Sequence, residues 1–147
     1  VLMHAQGEPS VMQKDPQYDD VLLDIFDWLE ERIDQCVAAG VSKERIIVDP
    51  GIGFGKTLRH NLEILNGLAL FHALGCPVLF GASRKRFIGA LTHQDEAQDR
   101  VPGSLAVGLM ALERGAQILR VHDVEETAQV LKIWQGVKDA AQMPPLS

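Results

Sequence analysis

Apolar residues recur along this chain in two alternating rhythms. At Val21, Leu22, Ile25, Trp28, Leu29, Ile33 and Val37 they return every three to four positions. That spacing predicts an amphipathic helix over residues 19–39. Asp19 and Asp20 suit its start and Gly40 its end. The other rhythm is a short continuous run, at residues 1–4, 45–48, 78–80 and 118–121. Unbroken apolar runs of this length suit strands buried in a parallel sheet. Further helices are predicted over residues 58–74, closed by Gly75, and over 86–91. Two more follow over 101–114, with Pro102 in the first turn and Gly115 beyond the end, and over 124–141. Residues 5–18 carry Gly7, Pro9 and Pro16 and read as a loop; 92–100 are polar and read as exposed; 143–147 read as a tail.

The order is strand, helix, strand, helix, four times over. It predicts an α/β fold with parallel strands and right-handed crossovers. No linker or low-complexity segment divides it. Asp49, Lys85 and Arg120 follow successive strands at intervals of 36 and 35 residues. That interval matches the repeat of a (β/α)₈ barrel, whose active sites lie at the C-terminal ends of the strands. A complete barrel needs about 250 residues, and this chain has 147. The expectation is therefore the C-terminal half of a barrel, about four βα units in one partial domain of a longer protein. A self-sufficient small α/β domain is the alternative.

Composition narrows the picture. With 46% hydrophobic residues the chain can bury a core. A net charge of −6 argues against nucleic-acid or anionic-membrane partners, which call for a basic surface. No run of about 18 apolar residues occurs, so no membrane span is expected. Cys36 and Cys76 stand apart without metal-ligand spacing, which suggests free thiols in a reducing cytoplasm and no zinc site.

The candidate chemistry sits at the strand ends. Asp49-Pro50-Gly51-Ile52-Gly53-Phe54-Gly55-Lys56-Thr57 tempts a phosphate-loop reading. That pattern needs glycine where Pro50 stands, and the dinucleotide pattern needs glycine where Lys56 stands. What remains is a carboxylate before a glycine-rich loop. Asp49 either caps a turn or accepts paired hydrogen bonds from an amidine-like edge, such as that of a 2-amino-pyrimidinone. Lys85, after Ser83 and Arg84, can donate to the same ligand. Arg120 and His122 alternate with Leu119 and Val121, so they share one face. Two such groups at the end of an apolar strand call for an anion, naturally a phosphate, or for a neighbouring carboxylate. His4, His60, His72 and His93 read as structural or surface residues.

These segments together resemble the dihydropteroate synthase family of pterin-binding barrels. The likeness rests on Met3-His4-Ala5-Gln6-Gly7-Glu8-Pro9, Asp49 to Thr57, Ser83-Arg84-Lys85 with Ile88-Gly89, Pro102-Gly103-Ser104, and Arg120-Val121-His122-Asp123-Val124, in family order. The resemblance implies a folate-biosynthesis transferase. A dihydropterin bearing a CH₂-diphosphate meets p-aminobenzoate, the arylamine attacks the methylene carbon, and diphosphate leaves. It implies that Asp49 holds the pterin's amino edge and that Lys85 binds the pterin beside the aminobenzoate site. Arg120 and His122 would then form the anion pocket, with Arg120 also stacking on the pterin. Met3, Ile52, Phe54 and Gly81 would wall the two substrates. It further implies Mg²⁺ held through the substrate diphosphate and the absent N-terminal half, a homodimer, and a sulfonamide-type inhibitor site.

Some positions depart from the family pattern. Ala5 replaces a common Met, Ile52 a common Phe, and Arg86 a common Ser at the edge of the aminobenzoate site. The family's N-terminal half supplies an Asn for the anion, further pterin ligands and two mobile loops, so the chain alone is expected to be inactive or nearly so. Competing readings are a methyltetrahydrofolate-dependent methyltransferase barrel, a Schiff-base aldolase using Lys85, and a non-catalytic half-barrel.

Overall fold

The computed structural model describes residues 1–7 and 16–140. The predicted tail over 143–147 and the middle of the predicted 5–18 loop lie outside the described residues. Strands and helices alternate: β1 (Leu2–Met3), α1 (Val21–Ala38), β2 (Val48–Asp49), α2 (Leu58–Asn66), β3 (Leu79–Phe80), α3 (Arg86–Thr92), α4 (Val101–Glu113), β4 (Ile118–Leu119) and α5 (Val124–Asp139). The fold is α/β with parallel strands. β1 pairs with β2 through Leu2↔Val48 and Met3↔Asp49, and β3 with β4 through Leu79↔Ile118 and Phe80↔Leu119. A parallel bridge between Val48 and Val78 joins the two pairs, so the strands lie side by side in chain order.

Helix α1 begins where the sequence places it. The Asp20 carboxylate accepts from the amides of Leu22 and Leu23 and satisfies two otherwise open donors. Its periodic residues Val21, Ile25, Leu29 and Ile33 are buried. They meet Val48, Ile64, Leu68, Phe71 and Val78 in one core cluster. Phe71 and Leu68 are wholly buried, and removing a side chain of that size from water stabilises by about 1.5–3 kcal/mol.

Two predicted elements differ. The strand expected over 45–48 starts later, because Lys43–Arg45 form a 3₁₀ turn. The Arg45 amide donates to Ser42 and the Ile46 amide to Lys43, both at 3.0 Å. The single helix expected over 58–74 breaks at Gly67 into α2 and a 3₁₀ stretch, Leu68–Leu74. A Cβ at Gly67 would fall within 2.4 Å of the Leu22 side chain of α1, so the break lies where α1 packs against this segment. All four strands are also shorter than their apolar runs, two residues each.

The C-terminal part is less covered. No residue of α5 is buried, and Ile133 and Val137 are 71% and 70% exposed. Among the described residues no helix is long and apolar enough to cross a membrane.

Candidate active site

The ends of the four strands bring the predicted residues to one side of the sheet. Met3 closes β1 and Asp49 closes β2. Gly81 follows β3 directly, and Arg120 follows β4. A cleft of about 420 Å³ opens there, lined by Met3, Phe54, Gly81, Ser83, Lys85, Arg120, Val121 and His122. Ile52 is placed elsewhere: it is 1% exposed and belongs to the hydrophobic core.

Asp49 is the buried partner of Arg120. Its side chain is 1% exposed, while that of Arg120 is 51% exposed. The Arg120 Nη2 donates to Asp49 Oδ2 at 2.9 Å, and the Gly51 amide donates to Asp49 Oδ1 at 2.8 Å. Of the two partners foreseen for Arg120, anion or carboxylate, the ligand-free chain shows the carboxylate. Burial pushes the Asp49 carboxyl above its ordinary range, and the Gly51 amide, Arg120 and Lys85 pull it back down. Gly81 makes this geometry possible. A Cβ there would stand 2.7 Å from Arg120 Nη2, so only glycine lets the guanidinium lie across the strand end.

Lys85 reaches in from the N-cap of α3. Its Nζ lies 4.0 Å from the centre of the Phe54 ring, a cation–π contact. Burial lowers the Lys85 pKa first, and the neighbouring Arg120 lowers it further, against the pull of Asp49. The ammonium can therefore donate to a ligand carbonyl or ring nitrogen from a partly dry position.

Phe54 owes its position to the glycine-rich loop, which side chains pin from behind. Asn61 Oδ1 accepts from the Gly53 amide at 2.7 Å, and the Tyr18 hydroxyl donates to the Gly55 carbonyl at 2.8 Å. Lys56 Nζ donates to the Phe54 carbonyl at 3.0 Å and meets His4 Nδ1 at 2.9 Å. Lys56 and His4 are 4% and 5% exposed. Burial lowers the Lys56 pKa to about 7, Asp49 pulling it up and Lys85 down. Burial, and then Lys56, lowers that of His4 to about 3. His4 was read from the sequence as structural, and Lys56 only as a failed phosphate-loop position. Their contact joins residues 52 apart, and no local pattern announces it.

A second group missed in the sequence sits beside the cleft. Ser83 Oγ lies 3.0 Å from His122 Nδ1 and 3.3 Å from the His122 amide. Arg84 pairs with Asp123 through both guanidinium Nε and Nη2. Arg84 itself has φ +58°, a strained conformation for a non-glycine residue. Ser104 Oγ accepts its amide at 2.8 Å and Arg100 Nη1 donates to its carbonyl at 3.0 Å. One signal could have found these pairs. Phe80 and Leu119 are register partners. Counting equally from both gives Gly81 with Arg120, Ser83 with His122, and Arg84 with Asp123, the pairs observed.

The site thus offers a buried acceptor, a desolvated ammonium, a half-exposed guanidinium and an imidazole around one opening. Such a set can hold a flat ring with an amidine-like edge and an anionic group beside it. Among the described residues no group of three His, Cys, Asp or Glu side chains converges to hold a metal ion.

A family model described as pterin binding enzyme matches residues 1–122. The dihydropteroate synthase of Haemophilus influenzae is 45% identical over 139 residues, covering 95% of this chain and 50% of that protein. The crystal structure of the Stenotrophomonas maltophilia dihydropteroate synthase, with active site-bound imidazole, superposes with a TM-score of 0.91 at 48% identity. That alignment covers 93% of this chain and 52% of the other. The Xanthomonas albilineans dihydropteroate synthase, solved with 4-aminobenzoic acid, gives a TM-score of 0.87 at 45% identity, covering 93% and 48%. The chain spans about half the length of the curated relatives it matches.

Proposed function

The chain belongs to the pterin-binding enzyme family, and from that premise we propose that it is the C-terminal half of a dihydropteroate synthase (β/α)₈ barrel, carrying four βα units. The reading is supported most by one observation. Lys85, Arg120 and His122 line a single cleft, and Arg120 is paired there with the buried Asp49 carboxylate. The exposed apolar side chains of α5, Ile133 and Val137, fit a chain that packs against further protein.

The reaction joins 6-hydroxymethyl-7,8-dihydropterin diphosphate to p-aminobenzoate. The arylamine nitrogen forms a bond to the pterin methylene carbon as the carbon–oxygen bond to diphosphate breaks. In this reading the pterin's amino edge donates to Asp49. The Arg120 guanidinium leaves Asp49 Oδ2 and moves onto the ring face and the diphosphate, so Asp49 exchanges one paired donor for another and is never left bare. Arg120 and His122 meet the negative charge that grows on the leaving group. Lys85 donates to the pterin and borders the arylamine, held over Phe54. Met3 and Gly81 complete the walls. Ile52, in the core behind the glycine-rich loop, supports the wall that Phe54 presents.

The cleft presents two cationic side chains, Lys85 and Arg120, and among the described residues no group of three His, Cys, Asp or Glu side chains converges to hold a metal ion. Mg²⁺ would enter with the diphosphate and offset part of its charge. The proposal includes a homodimer in the cytoplasm, without nucleic-acid or membrane partners; the net charge of −6 supports only the absence of those polyanionic partners.

Calorimetric titration with a 6-substituted pterin, with and without pyrophosphate and Mg²⁺, tests the reading. Binding that pyrophosphate strengthens and Asp49→Ala abolishes is expected. Pterin binding indifferent to Asp49→Ala would refute it. Turnover is expected from the full-length protein and not from the 147-residue chain alone.

A further inference from the structure

Ser83 is the one hydroxyl on the wall of the cleft, 8% exposed, and it faces His122 twice. A serine hydroxyl offers one proton and two lone pairs. The His122 amide can only donate, so at 3.3 Å it takes a lone pair of Oγ. Among the described residues, the hydroxyl's hydrogen-bond partners besides that amide are Nδ1 alone, at 3.0 Å. A buried O–H left without an acceptor is unfavourable, so the proton of Ser83 belongs on the line to Nδ1. In a neutral imidazole one ring nitrogen carries the proton and the other accepts. Nδ1 accepting from Ser83 leaves the ring proton on Nε2, the nitrogen turned away from Ser83, in a residue that lines the cleft.

We propose that Ser83 is a positioning residue that holds His122 as its Nε2–H tautomer, so that the neutral ring presents a donor to an anionic oxygen in the cleft. The proposal deepens the diphosphate reading and rests on it for the identity of the anion. With the opposite tautomer, Nε2 would turn a lone pair towards that oxygen and repel it. The register supplies the pair: Ser83 and His122 each lie three residues beyond the partners Phe80 and Leu119, so the alignment of two strands fixes the state of one ring.

The test uses full-length protein labelled with ¹⁵N-histidine, wild type and Ser83→Ala, under mildly alkaline conditions. Long-range ¹H–¹⁵N spectra report the tautomer without any ligand. The wild-type His122 is expected with Nδ1 unprotonated and Nε2 protonated, and Ser83→Ala with a mixture of the two. Pyrophosphate affinity is expected to fall about three- to tenfold in Ser83→Ala, the range of one lost hydrogen bond. Affinity for a pterin lacking diphosphate should be unchanged, which separates the effect from damage to the fold, and Ser83→Thr should restore both the tautomer and the anion. A wild-type Nδ1–H tautomer, or a Ser83→Ala variant that keeps Nε2–H, overturns the proposal. Wild-type protein with the expected tautomer but no pyrophosphate binding would overturn the choice of anion while leaving the Ser83 assignment standing.

Discussion

Replacing Lys56 with methionine removes a buried ammonium while keeping most of its apolar stem. The lysine's pKa falls from its ordinary 10.5 to about 7 in the folded chain, because burial disfavours the charge. Between those values the unfolded chain holds a proton that the native state has shed, so stability rises with pH across that window. The full difference corresponds to about 5 kcal/mol at 1.36 kcal/mol per pH unit. Only part falls between pH 7 and pH 9, where the wild type should gain about 2 kcal/mol from this group. That interval also lies below the titration of Tyr18, which burial and Asp24 push up to about 12. In Lys56→Met this gain should vanish. His4 adds a separate slope at lower pH: its folded value of about 3, against 6.5, means stability is lost as pH falls from about 6.5 towards 3. Lys56 is one cause of that depression, so the acid slope should shrink in Lys56→Met as well. Urea unfolding at pH 5, 7 and 9, followed by tryptophan fluorescence, measures all of this; Trp28 packs edge-on against His4 at 5.2 Å. Parallel stability curves for wild type and variant from pH 7 to 9 would show that the ammonium is solvated, and the reasoning would fail.

Gly81→Ala places a Cβ on the wall of the cleft against Arg120 and should narrow the space that the guanidinium and the pterin ring share. Calorimetry should then show pterin affinity reduced about tenfold or more with an unchanged circular dichroism spectrum, and full affinity would contradict the close approach. Asp123→Asn should lower stability at neutral pH. Arg84 holds the Asp123 carboxyl below its ordinary range, so the deficit against wild type should close as pH falls through that lowered value; a deficit independent of pH would count against the ion pair. Phe71→Ala empties a wholly buried position and should destabilise by about 3–5 kcal/mol in urea, whereas a loss below about 1 kcal/mol would mean that the 3₁₀ stretch is not part of the core.

Helices were legible wherever a periodic face met the core. Val21, Ile25, Leu29 and Ile33 state both the helix and its buried side. The close contact at Gly67 was not legible, because its partner Leu22 lies on another helix, 45 positions away. Strand lengths were overestimated for a related reason. An apolar run records burial, while a strand needs a partner at the same level. Ile46 is buried in the core yet unpaired, its amide closing a 3₁₀ turn on Lys43. Periodicity reports which residues avoid water, and it is silent on which backbone meets which.

The same distinction governs the site. Asp49, Lys85, Arg120 and His122 could be read from the sequence because charged groups at the ends of apolar runs need a reason, and the repeat of about 35 residues brings them to one rim. Their supports could not, because each is defined by a pairing. Yet the supports are not independent of the strands. Once Phe80 lies beside Leu119, the next four positions after both strands run in step. Gly81 then opens room for Arg120, Ser83 meets His122, and Arg84 meets Asp123. The two apolar strands thereby set the spacing of Gly81, Ser83 and Arg84 against Arg120, His122 and Asp123. A slip of one residue between them would carry Arg120 onto Ala82, part Ser83 from His122 and turn the side chains of one strand to the opposite face. Register here is therefore a functional constraint, one that the sequence states only as two four-residue stretches, Gly81-Ala82-Ser83-Arg84 and Arg120-Val121-His122-Asp123, each beginning directly after its strand.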